Sequence, residues 1–442
     1  MARKVVVVGA GIAGLGAAWR LARRGFEISL LEREVRPGGR VRTTCRDGFS
    51  IESGGGLVST ADRAFLSWIS ELGLHEFLPL RPVLSAQVYR HRAQAIDSRR
   101  LLGIARIPGI RVREALRLIR LPRLDARYGD RIDPERPERA ASLDDRSLDD
   151  FGRLYFGNSV VAHWMSPMVA RNALTDEREV SRVLFLLHYR NAANARLGLL
   201  RSSLGELMDT AAAAVSTEFG VDVARVESAP GGGVRCFSRD RIIEADAVIV
   251  AGSASEAARM IRGELSLGER DAFEQVRYTP SIALAVALRR PFSAHPQHIQ
   301  FPHVDGSPLE AVLLEPGVAG GRVPEGAGLA LLRATGTWSE AYFDAPDDTV
   351  RKELLAACGR IFPRIHGAEL FTEIMRIPRA VPKFNVGRYR KIADFVRIQN
   401  DRCREGRRIY FAGDYLMGPG CDAALRSGHR AATAVEEDLR AG

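Results

Sequence analysis

The chain has 442 residues, 46% hydrophobic and 27% charged, enough for two packed domains and too apolar for a disordered polymer. No run of about eighteen apolar residues occurs, which argues against a membrane-spanning helix. The net charge of +10 rests on only four lysines, so 60 of the 64 basic residues are arginines; a GC-rich genome produces such a skew, and it does not point to nucleic acid as a partner. The five cysteines (Cys45, Cys236, Cys358, Cys403 and Cys421) are unpatterned, which suits free thiols in a reducing cytoplasm rather than disulfides or a zinc site.

In chain order, Met1-Ala-Arg-Lys looks like the front of a signal peptide. It runs directly into valines and a glycine turn, however, so residues 4–8 read as a first strand, buried on both faces in a parallel sheet. A helix over Leu15–Arg24 follows, stopped by Gly25, and then a strand over Glu27–Glu32: a β-α-β unit. Residues 47–58 read as one further strand ending in Gly54-Gly55-Gly56.

Within 101–123, Val112, Ala115, Leu116 and Ile119 share one face and Arg113, Arg117 and Arg120 another. Such a helix either packs on its own domain or lies in a membrane surface as a peripheral contact. The Pro/Asp/Arg-rich stretch Asp125–Ala141 reads as an exposed loop, and Ser142 and Ser147 as competing helix starts. Val221–Val226 and Val234–Phe237 alternate around Gly231-Gly-Gly233 like a hairpin. Strands are expected at Ala245–Ala251, Ser281–Leu288 and Arg408–Gly413, and a final helix at Asp422–Leu439.

These signals predict an α/β, Rossmann-like nucleotide-binding domain built from 1–78, 201–269 and 396–442. An α+β substrate domain, 79–200 and 270–395, is interleaved with it.

Three motifs carry chemistry. Gly9-x-Gly11-x-x-Gly14 lies between strand and helix, and Glu32 ends the next strand. Gly9 allows the turn, Gly11 admits a pyrophosphate, and Gly14 lets the helix pack on the sheet. The helix start, with Ile12 and Ala13, offers N–H groups to phosphates. Glu32 is suited to ribose hydroxyls and repels a 2′-phosphate, and Arg33 lies beside it. The second motif, Gly38-Gly39-Arg40, gives a second phosphate turn, and Gly54-Gly55-Gly56 with Leu57 lets backbone lie against a flat ring. NAD needs neither; FAD uses both. The third is Phe411-Ala-Gly413-Asp414, where Asp414 can accept a ribityl hydroxyl. Beyond it a helix start at Cys421, Asp422 and Ala423 aims its dipole at the pyrimidine end of a flavin.

In their order, these motifs resemble the superfamily containing amine oxidases, protoporphyrinogen oxidases and phytoene desaturases, across essentially the whole chain. The resemblance implies that Val223 meets the adenine, that FAD is bound non-covalently, and that the flavin is the main reagent. Amine oxidases of that superfamily carry a lysine on the strand matching Ser281–Leu288; Ala283 aligns there. Ala412-Gly-Asp-Tyr415, Val381–Gly387 and Ser166–Thr175 are similar to the desaturase and protoporphyrinogen oxidase side.

The expected activity is therefore dehydrogenation of an apolar or aromatic ring substrate, with oxygen or a quinone as electron acceptor. The alternatives are an amine or amino-acid oxidase and a non-redox flavin-dependent isomerase or flavin-binding protein. Tyr278, Phe301, Trp338, Phe384 and Tyr389 are candidates for the pocket. The nine histidines show no metal spacing. His163 and His188 lie in apolar helical surroundings that suit packed, hydrogen-bonded imidazoles, and no side chain is singled out as catalytic.

Overall fold

The valine run at the start forms the middle of a five-stranded parallel sheet. Its order is Thr217–Phe219, Glu27–Glu32, Lys4–Val8, Ala247–Val250 and Ile409–Phe411, drawn from beginning, middle and end of the chain. The structure is a computed structural model that describes residues 3–54, 56–74, 77–80, 85–97, 100–192 and 195–441. Val5, Val6 and Val7 are wholly buried, as strands covered on both faces must be.

Helix Ile12–Ala22 begins three residues before the predicted start, directly at the glycine turn, and Gly25 ends it at φ +85°. It packs closely against the last helix, Cys421–Ala441. A Cβ on Gly16 would fall 2.3 Å from Leu425, and one on Gly428 2.1 Å from the Ala13 carbonyl oxygen.

The predicted strand over 47–58 is not one element. Asp47 and Gly48 both have positive φ and turn Thr43–Arg46 back onto Phe49–Glu52 as a tight hairpin. Leu57–Ser59 belongs to another sheet, pairing with Leu197–Leu200.

A second sheet has seven strands in the order Glu369–Pro382, Tyr278–Leu288, Gly328–Ala334, Leu309–Pro316, Gln297–Gln300, Ser85–Tyr89 and Arg92–Ile96. Alternation along Tyr278–Leu288 divides its sides. Ile282, Leu284, Val286 and Leu288 pack with Val350 and Leu354 of helix Asp347–Gly359. Ala283, Ala285 and Ala287 pack against Leu197, Leu199 and Met375.

Helices between 101 and 192 form a separate core around Phe151, Phe156, Trp164 and Phe185. Ser147 wins the competition between helix starts: its Oγ accepts the Asp150 N–H at 3.1 Å and caps Leu148–Tyr155.

Two expectations in this region are corrected. Asp125–Ala141 is no exposed loop: it holds the end of helix Arg120–Tyr128 and 3₁₀ turns at Gly129–Arg131 and Pro137–Leu143, and it buries Tyr128, Ile132 and Ala140. The stretch 111–123 is three short segments, Val112–Ala115, Leu116–Ile119 and Arg120–Tyr128. Leu118 and Leu121 pack inward, while Val112, Leu116 and Ile119 face solvent at 65–78% exposure.

Candidate functional site

The carboxyl ends of the parallel strands open onto a cavity of about 820 Å³ that continues toward the seven-stranded sheet. Gly9, at φ +104°, turns the chain out of the first strand. Gly14 must approach that turn so closely that a Cβ there would fall 1.9 Å from the Gly9 carbonyl oxygen. Gly14 therefore serves packing and does not border the cavity. Gly11 does, and a side chain there would meet nothing within 4 Å.

The second glycine turn joins the first. Gly38 N–H donates to the Ala10 carbonyl at 2.8 Å, and a Cβ on Gly39 would sit 3.7 Å from Gly11 Cα. Beside them helix Ile12–Ala22 starts without a side-chain cap, so its first N–H groups remain free for an anion.

Glu32 is buried, and each of its carboxylate oxygens accepts one backbone N–H, from Ala10 at 2.6 Å and from Glu34 at 3.0 Å. The carboxylate is thereby fixed in the cavity wall with a lone pair still open on each oxygen. Arg33, at the rim, pairs with Glu256 at 2.8 Å, and Val223 borders the same end. Ile12, Ala13, Gly54, Gly56 and Leu57 also line the cavity; Gly55 lies outside the described residues.

Arg40 lines the cavity, but its fork is directed at Asp414, with Nη1 2.7 Å from Oδ2 and Nη2 2.8 Å from Oδ1. Nη1 also donates to the Ala380 carbonyl at 3.0 Å. The expected free phosphate arginine is thus engaged with a carboxylate, because the second turn and the last strand end side by side.

Gly413, Cys421, Asp422 and Ala423 complete this wall. Asp422 holds the Phe65 N–H at 3.0 Å and Arg426 Nε at 2.8 Å, which orients the start of the last helix. Burial pushes the Cys421 thiol up to about 12, so it stays protonated.

The far end of the cavity is made by residues that the sequence did not assign to a pocket, although Met168, Arg171 and Asn172 lie within the family-like stretch Ser166–Thr175 and His188 was expected only to pack. Trp164, Met168, Arg171 and Asn172 follow one another at helical spacing, and His188, Tyr189 and Asn191 come from helix Arg182–Ala192. Arg333, Arg376 and Asp62 reach the same space. Burial raises the Asp62 carboxyl to about 6, with Asp422 adding to the effect against the Ser59 N–H, Arg171 and Arg426. Burial pulls His188 down to about 3, helped by Arg171 and Arg426, so its imidazole is neutral. His188 is packed, as its surroundings suggest, but its Nδ1 has no hydrogen-bond partner among the described residues. His163 borders Tyr89 instead of the cavity.

The five aromatic pocket candidates do not line the cavity. Phe301, Phe384 and Tyr389 are core residues, Trp338 stacks on Tyr342, and Tyr278 spends its hydroxyl on the Ala254 N–H at 3.0 Å. Nor does Ala283 reach it: Ser281, on the same side of the strand, is the residue that does. No lysine is among the described lining residues.

Against this geometry, the family model for flavin containing amine oxidoreductases matches residues 12–436. The chain belongs to the flavin-containing amine oxidoreductase family. A coproporphyrinogen III oxidase from Propionibacterium freudenreichii is 26% identical, over 98% of this chain and 90% of the relative. A carotenoid phi-ring synthase from Streptomyces griseus is 27% identical, over 87% and 79%. A solved putrescine oxidase superposes with a TM-score of 0.81 over the full length of both chains; at 18% identity this establishes the shared fold. As a member of this family the chain is an FAD-dependent oxidoreductase. Its cavity suits that cofactor: the open backbone at Gly11, the uncapped helix start and the fixed Glu32 carboxylate are groups that FAD requires.

Proposed function

We propose that this flavoenzyme removes hydrogen from the carbon skeleton of an apolar or aromatic ring substrate, such as a porphyrinogen or a cyclic polyene, rather than from a free amine. The observation that carries the reading is the far end of the cavity. Trp164, Met168, Leu174 and Tyr189 supply apolar and aromatic surface there; Arg333 and Arg376 are paired with Glu310 and Asp347, which leaves the Arg171 guanidinium as a cation without an ion pair among the described residues. A protonated amine entering that space meets like charge. The relatives named for porphyrinogen and carotenoid chemistry support the same direction.

In this reading Glu32 holds the ribose, and Val223 lies against the adenine. The turns at Gly11 and Gly38-Gly39, with the helix start at Ile12 and Ala13, take the pyrophosphate, and Arg33 closes the rim. Gly54, Gly56 and Leu57 bring backbone against the flat ring. Asp414, oriented by Arg40 and with lone pairs to spare, accepts a ribityl hydroxyl. The start of helix Cys421–Ala441, at Cys421, Asp422 and Ala423, stabilises negative charge at the pyrimidine end. Bound there, FAD would supply the hydride acceptor, with oxygen or a quinone as the terminal electron acceptor. Asp62 takes the accompanying proton at Oδ1, since Oδ2 is held by the Ser59 N–H at 2.8 Å.

Among the described residues no helix is long and apolar enough to cross a membrane. Leu102, Val112, Leu116 and Ile119 are each more than 60% exposed beside Arg113, Arg117 and Arg120, which supports a peripheral contact with anionic lipid. Co-sedimentation with phosphatidylglycerol vesicles, weakened in Leu116→Asp and Ile119→Asp, tests it; unchanged partitioning rules it out.

Turnover in air with porphyrinogens, polyenes and amines, followed by product chromatography, tests the reaction class. Peroxide formed with amines alone makes the protein an amine or amino-acid oxidase. Product formed without consumption of any acceptor makes it an isomerase.

A further inference from the structure

We propose that Arg171 is the anion-recognising group of the substrate chamber, and that the substrate carries a carboxylate which pairs with its guanidinium. This rests on the reading of the far end of the cavity as the substrate chamber.

Every other arginine at that end has a carboxylate of its own. Arg333 Nε donates to Glu310 at 2.9 Å, Arg376 is paired with Asp347, and Arg426 Nε meets Asp422 at 2.8 Å. The Arg171 guanidinium has no hydrogen bond or ion pair among the described residues. Its backbone is fixed: Arg333 donates to the Arg171 carbonyl at 2.6 Å, and Arg171 lies in helix Ser166–Ala173 one turn beyond Met168.

Burial disfavours the charge on this side chain, and Arg333 adds to that effect against Asp62 and Glu310. A partly buried cation on the cavity wall, with no ion-pair partner among the described residues, is satisfied by one from the ligand. A guanidinium presents parallel N–H donors that match the two oxygens of a carboxylate. Asn172, next in sequence and also on the cavity wall, adds an amide to the same subsite. Neutral His188 adds no competing cation.

The test is a titration of the oxidised holoenzyme with 2-naphthoate and with 2-naphthamide, followed by the change in flavin visible absorbance. The wild type is expected to bind the carboxylate about ten-fold or more tightly than the amide. Arg171→Gln should abolish that preference and leave the affinity for the amide unchanged, and Arg171→Lys should restore part of it. Flavin content of each variant reports folding; if Arg171→Gln loses its flavin, the Lys variant decides, a reduced preference supporting the assignment and a full one overturning it. Equal binding of both probes by the wild type, a preference kept by Arg171→Gln, or no spectral response to either probe overturns it too. None of these titrations needs turnover, so a failed reaction panel leaves them standing, and a lost carboxylate preference leaves the reaction class standing.

Discussion

Arg40 and Asp414, 374 residues apart in sequence, meet as a two-pronged ion pair in which Asp414 is nearly buried and Arg40 reaches the cavity. The pair ties the second glycine turn to the end of the last strand of the parallel sheet, so early and late parts of the chain are joined beside the cavity.

Lysine cannot reproduce that fork. Arg40→Lys and Asp414→Asn are each expected to speed FAD loss on dilution about ten-fold or more. Coupling between them in a double-mutant cycle should be about 1–3 kcal/mol. Additive effects would show that the two residues act independently.

Glu32 holds two backbone N–H groups and lines the cavity. Glu32→Ala is expected to weaken FAD binding by about 1.5–3 kcal/mol through loss of a charge-assisted ribose contact. Unchanged flavin occupancy under dilution would place the ribose contact elsewhere.

Much of this architecture was legible because its signals are local. Gly9 and Gly14 each meet one steric requirement readable from spacing, a positive φ at the turn and a close approach to it. The hairpin at Asp47-Gly48 was legible too, since Asp-Gly is a turn signal; the apolar residues around it suggested one strand instead. Arg171 was not legible: its meaning lies in lacking a carboxylate that Arg333 and Arg376 have, which only the fold decides. Phe384 and Tyr389 failed as pocket residues for the same reason, because a sequence does not say whether an aromatic side chain faces a core or a cavity.

Asp62, raised to about 6, is expected to give a pH profile in which kcat/KM falls as pH drops through about 6 and the carboxylate becomes protonated. Asp62→Asn should lower kcat about 10²–10⁴-fold and remove that limb. Because its folded pKa is raised from 3.8, ionising Asp62 costs stability as pH rises through that window, so the Asn variant should melt higher at pH 7. A limb that persists in the variant would exclude Asp62 as the proton acceptor.

Glu177 accepts the Ser166 hydroxyl at 2.8 Å and faces His303 Nδ1 at 3.4 Å. Burial alone would raise this carboxyl; His303 and Ser166 outweigh it and bring it from 4.5 down to about 2. Its contribution is therefore present above pH 4.5 and lost as pH falls toward 2. Burial opposes the charge on His303, but Glu177 lifts it above 6.5, so its share is present below 6.5 and lost as pH rises through the raised value. Glu177→Gln should cost about 1–2 kcal/mol at pH 5.5 and less at pH 9. Equal losses in thermal melts at both values would contradict the pairing.

The most direct measurement is anaerobic bleaching of the enzyme-bound flavin in a stopped-flow spectrometer, with a porphyrinogen, a cyclic polyene, a polyamine and an amino acid as separate reductants. Rapid loss of the oxidised flavin absorbance with a carbon substrate, and none with the amines, is the expected result. Rapid bleaching by an amine with none by the carbon substrates would contradict it.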